Sequence, residues 1–198
     1  LISGSAPPAH FVGGWSGVVC GGIWLLNDRH HVPLRSMLSG TFGGGVISLF
    51  GIVPALMLTW NEPPDLVAEA NRIYVFDRLP HHLAPRTLPG AEISRRVGGH
   101  VALLLVFIAL LFSLRPNRFR ALSYIAQFAL GALLLAAIGF ASEMALWNQP
   151  FVAAKVLRYY WFRLTDFALP TAVALYTTAF IAFALQQRRA WAPWALAV

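Results

Sequence analysis

The chain has 198 residues, 58% of them hydrophobic and 12% charged, with a net charge of +7. A soluble domain carries about 25% charged residues, so the composition excludes an ordinary soluble enzyme and points to an integral membrane protein. The basic excess does not read as nucleic-acid binding, because the 15 Lys and Arg residues are scattered over inter-span loops, and the single Cys20 leaves no disulfide framework and no cysteine metal site.

Residues 1–10 are small and polar, with Pro7 and Pro8, and read as a loop. Residues 11–26 are apolar and glycine-rich. As a helix they reach about 24 Å, which makes a short, tilted or broken span. No basic segment precedes them and no small-residue cleavage site follows, so they do not read as a signal peptide. Residues 27–36 form a polar connection that holds the pair His30-His31, which reads as interfacial. Residues 39–60 are a second span, with Pro54 as a kink and Trp60 as an interface anchor.

A long loop, 61–97, follows. Within it, 65–79 carries Leu66, Ala70, Ile73 and Phe76 at helical spacing, with Asp65 in the N-cap position. This predicts a short amphipathic helix lying in the interface, stopped by Pro80. Residues 81–96 read as irregular chain. Spans at 98–114 and 121–142 come next, joined by a basic turn containing Arg115, Arg118 and Arg120. Residues 143–166 form a second amphipathic stretch, and 167–186 a fifth span. Residues 190–198 read as the opening of another span, and the start at Leu1 without Met fits a fragment of a larger polytopic protein.

Lys and Arg in the short loops set orientation. Arg29, Arg35, Arg115, Arg118, Arg188 and Arg189 all fall on one side if the five spans alternate, and that side is assigned to the cytoplasm. The loops 61–97 and 143–166 then share the outer side.

Three groups are candidates for chemistry. His81-His82 sits in a proline-bounded turn. The pair reads as a hydrogen-bonded turn, as a phosphate or headgroup contact, or as metal ligands. The metal reading lacks the further His or Cys at zinc spacing. The stretch 159–166, YYWFRLTD, would put Tyr159, Arg163 and Asp166 on one helical face. It reads either as an aromatic belt or as an Arg held by Asp for an anionic phosphate or pyrophosphate. Arg78 beside Asp77 offers a similar pair. Glu143 follows a long apolar run and lies either at membrane depth or just past the span, with His100 a weaker case of the same kind. No motif asks for a cofactor or a metal.

At RIYVFDRLPHHLAP and YYWFRLTDFALP the chain resembles a family of uncharacterised polytopic bacterial membrane proteins of planctomycete type. That family has an Arg-x-Pro-His-His-Leu loop and a later Tyr-x-Phe-Arg-Leu-x-Asp stretch. Here the matching residues are Arg78, Pro80, His81, His82 and Leu83, then Tyr160, Phe162, Arg163, Leu164 and Asp166. The layout is distantly similar to multi-span glycosyltransferases that use polyprenyl-phosphate sugars at the outer face. Those enzymes carry a catalytic acid in their first outer loop; nothing here matches it, and it would precede Leu1.

The sequence therefore predicts an all-α, multi-pass transmembrane helical bundle with two interfacial amphipathic helices, in a bacterial inner membrane. The expected substrate-binding residues are Arg78, His81, His82, Arg163 and Asp166, on a lipid-linked phosphate or pyrophosphate. No catalytic residue is assigned. The resemblance implies a glycosyltransferase-like enzyme. The alternative is a transporter or other non-enzymatic membrane protein, with Glu143, His100 and the second span lining a pathway.

Overall fold

The computed structural model describes residues 6–28, 30–57, 60–114 and 120–187. Among these the chain is all-α, without strands. Helix α1 (Ala6–Ile23) runs on into a π-helical turn (Trp24–Asp28), and α2 spans Leu34–Met57 with Pro54 inside it. Next come α3 (Pro64–Arg72) with a π-helical continuation (Ile73–Arg78), the one-turn α4 (Pro80–Leu83) and a 3-10 turn (Pro85–Thr87). Helices α5 (Gly90–Leu114), α6 (Arg120–Ala145), α7 (Pro150–Leu157) and α8 (Arg163–Gln186) complete the order.

Helices α5, α6 and α8 are long and apolar enough to cross a membrane, with mean hydropathy of 2.5, 2.0 and 1.8. Large apolar side chains such as Leu105, Phe112, Leu134 and Phe167 project from them exposed, as expected where the surrounding solvent is hydrocarbon. The chain is a membrane-embedded helical protein. The first two expected spans fall on α1 and α2. Arg29, the basic turn at Arg115 and Arg118, the pair Arg188 and Arg189, and residues 190–198 lie outside the described residues.

Side-chain contacts set the helix directions. Asp166 near the start of α8 meets Arg96 and His100 near the start of α5. Further along, Tyr176 packs edge-on to Phe107, with centroids 5.4 Å apart. So α5 and α8 run the same way. Helix α6 runs opposite. Thr165 Oγ1 donates to the Ala132 carbonyl at 2.9 Å, and Tyr176 Oη to the Leu122 carbonyl at 2.7 Å. Both hydroxyls are buried, so these bonds remove two polar groups that lipid could not satisfy. Helix α1 lies along α6. A Cβ on Gly131 would come 2.6 Å from Val19 Cγ1, and one on Gly139 would come 2.4 Å from Trp161 Cβ. Only glycine permits these approaches.

The segments between the long helices form a cap at the end where α5 and α8 begin. Its core joins Val75, Leu83 and Ala84 from the first connection to Ala153, Ala154, Leu157 and Tyr160 from the second. The hydroxyls of Tyr74 and Tyr160 hydrogen-bond to each other, and Arg158 donates to Asn71 Oδ1 at 3.3 Å. The two long connections therefore lie at one end of the long helices, as the alternation of spans requires.

Several boundaries differ from the sequence reading. Pro63 caps α3 and Pro64 is its first residue, so Asp65 lies inside the first turn; a proline at the first helical position gives up no hydrogen bond. The expected helix 65–79 is α3 plus a π-helical turn that ends at Arg78. Pro80 does not only stop that segment but opens α4. Residues 81–96 are not irregular, because α5 begins at Gly90 and carries Arg95 and Arg96 as helical residues. The stretch 143–166 is not one helix. Tyr160 takes φ 58°, a left-handed conformation that ends regular helix for a bulky side chain. Helix α8 starts at Arg163, so Tyr159 shares no helical face with Asp166.

Candidate functional site

Asp166 stands in the first turn of α8, where a carboxylate is favoured by the helix dipole. Both of its oxygens accept from Arg96 Nη2, each at 3.0 Å. His100, one turn further along α5, places Nε2 3.2 Å from Asp166 Oδ1, and its Nδ1 lies 3.0 Å from the Arg96 carbonyl. Arg163 is also near, with Nη1 3.7 Å from Asp166 Oδ2. One carboxylate thus faces two guanidinium groups and an imidazole.

Arg163 meets the cap through His82. Its Nη1 lies 3.2 Å from His82 Nδ1 and 3.4 Å from Nε2. His82 in turn packs on His81, with ring centroids 4.0 Å apart and planes tilted by 50°. Burial, then the positive charge of Arg163, then His81 and Arg96 push the His82 imidazole down to about 4. It is neutral at physiological pH and cannot repel Arg163. Of the residues expected from sequence, His81, His82, Arg163 and Asp166 come together here. Arg78 does not join them. It is exposed at the end of the π-helical turn, and Asp77, its expected partner, instead faces Arg72 at 3.5 Å.

Arg96 and His100 complete the cluster. Arg96 is not among the residues expected from sequence, because residues 90–97 read as part of the long loop. As a helix, that stretch places Arg96 and His100 four apart on one face, and this spacing was the available signal.

The second polar feature of the cap centres on Glu143. Its side chain is 1% exposed. Oε1 accepts the Arg86 backbone N–H at 3.1 Å, and Oε2 is buried without a partner among the described residues. Glu143 helps to line a cavity of about 340 Å³, with Arg72, Asp77, Thr87, Phe76 and Trp147 as its other polar or aromatic walls. Neither expected location was complete: Glu143 is at the very end of α6, yet cap residues cover it.

At the opposite end of the long helices Asp28 accepts from Tyr124 Oη at 2.6 and 2.8 Å and pairs with Arg120, while His30 and His31 are exposed. Among the described residues no three His, Cys, Asp or Glu side chains gather to hold a metal ion. No protein-family model matches this chain, and searches of curated proteins and of solved structures return no significant match.

Proposed function

We propose that the cap holds the phosphate or pyrophosphate of a lipid-linked substrate at the outer face of a bacterial inner membrane, and that the protein is an enzyme of glycosyltransferase type. The observation that supports this is a spare cation. Asp166 gives both oxygens to Arg96 at 3.0 Å, while Arg163 stands further off at 3.7 Å, against a neutral imidazole. Two guanidinium groups therefore share one carboxylate at the start of α8, whose own N-terminus adds positive potential. Arg163 is 43% exposed, so a phosphate can reach it and accept two parallel N–H bonds from its fork. His81, packed on His82, supplies a further donor at the rim.

The transporter reading asks for ionisable groups at mid-span along a pathway. In α8 the buried hydroxyls of Thr165 and Tyr176 are both spent on α6 carbonyls. Among the described residues the ionisable clusters lie toward the two ends of the long helices, at Asp166 and at Asp28, which favours a headgroup site.

The test uses the purified chain in zwitterionic nanodiscs, titrated with farnesyl phosphate and, separately, farnesol. A saturable rise in melting temperature with the phosphate alone is expected, with affinity reduced by about 10- to 100-fold in Arg163→Gln, the loss of one charge-assisted contact. No rise in the wild type, or an equal rise in the variant, overturns the phosphate site. Incubation with a polyprenyl-phosphate-linked radiolabelled sugar tests the enzymatic half, which fails if no polyprenyl phosphate is released.

A further inference from the structure

We infer that the cavity beside Glu143 is a binding site for a sugar-like, polyhydroxylated group that donates a hydroxyl to Glu143 Oε2. The inference does not rest on the phosphate reading. The segment 80–87 hands His82 to Arg163 and the Arg86 N–H to Glu143, but the two sites use different side chains.

The argument starts from an unmet acceptor. A buried carboxylate oxygen without a donor is desolvated with nothing in exchange, and such a group beside a cavity selects for a ligand that supplies the donor. The other polar walls narrow the class. Arg72 gives Nε and Nη2 to Glu69 at 2.8–3.1 Å and keeps only a loose 3.5 Å approach from Nη1 to Asp77. Arg72 and Asp77 thus place a guanidinium donor and a carboxylate acceptor in one wall. Thr87 Oγ1 spends its proton on the Ala84 carbonyl, so it faces a ligand as an acceptor.

The remaining walls are apolar: Leu146, Pro150, Ala153 and the flat rings of Phe76 and Trp147. Arg86 stacks over the Trp147 ring at 4.4 Å, which fixes its orientation. Interleaved donors and acceptors with flat apolar faces match a pyranose ring, whose hydroxyls both donate and accept and whose C–H faces pack on apolar surface. A simple cation fits less well, because Arg72 lines the same space. A fatty chain fits less well, because it has no donor for Oε2.

The experiment uses the full chain in nanodiscs, free of glucoside and maltoside detergents, whose headgroups would compete. Glucose, galactose, mannose and N-acetylglucosamine are titrated to about 100 mM, with melting temperature as readout, since a ligand that binds only the folded state raises it by mass action. At least one sugar is expected to give a saturable rise that is lost in Glu143→Gln, which keeps the shape but presents an amide. Should that variant fail to fold, Trp147→Ala on the half-exposed wall is expected to lose the rise instead. The inference is overturned if no sugar acts, if the rise grows linearly and persists in the variants as a solvent-exclusion effect, or if ethanolamine acts where no sugar does.

Discussion

Asp166 and Glu143 are both carboxylates set near the cap ends of long apolar helices, and their surroundings are opposites. Asp166 is surrounded by donors: Arg96, His100 and Arg163. Glu143 is more deeply buried and receives a single backbone N–H. A carboxylate with more cations than it needs ties helices together and leaves positive charge over. One with fewer donors than it needs adds little to the scaffold and leaves negative character over. The proposed anion site and the proposed donor-seeking site thus differ in the sign of what each carboxylate leaves over.

The largest effect that would break this contrast is at Asp166. Asp166→Asn leaves Arg96 and Arg163 facing each other without a charge between them, and is expected to cost about 2–3 kcal/mol in SDS unfolding titrations. A neutral result would mean that the cluster is a loose surface pairing. Second is pH. The His82 imidazole takes a proton near 6.5 when unfolded and only near 4 when folded, so between those values the unfolded state binds more protons. The His82 contribution to stability should therefore be a limb that is flat above about pH 7 and falls as pH drops from 6.5 toward 4. His82→Gln should flatten that limb, and an unchanged limb would place the titration elsewhere. The smallest effect is at Glu143. Without ligand, Glu143→Gln should stay within about 0.5 kcal/mol of the parent, since the Arg86 N–H still finds an acceptor. A loss above about 2 kcal/mol would make Glu143 as structural as Asp166.

Much of the scaffold could be read from the chain. The apolar runs at 98–114, 121–142 and 167–186 lie inside α5, α6 and α8, because hydrophobic length is a strong physical signal. The polar ends were harder. Residues 90–97 read as loop by composition, yet they open α5, and this hid Arg96. The Arg78–Asp77 pair was expected because the two are neighbours in sequence. In the structure Arg72, on the preceding turn, meets Asp77 instead. The contact between Arg96 and Asp166 bridges 70 positions, and no local spacing encodes it. His82 and Arg163 were joined in expectation only because the topology put their loops on one side.

The cap core has a consequence for how the protein is made. Val75 and Leu83 share a core with Ala154 and Leu157, and both α5 and α6 lie between them in the chain. During synthesis the first connection emerges with its apolar face unmatched and must wait until those two helices have inserted and α7 has followed. Closure of the cap therefore reports that two helices have crossed in the right order. A chain stalled before α7 would present an open apolar surface to quality-control proteases at the membrane.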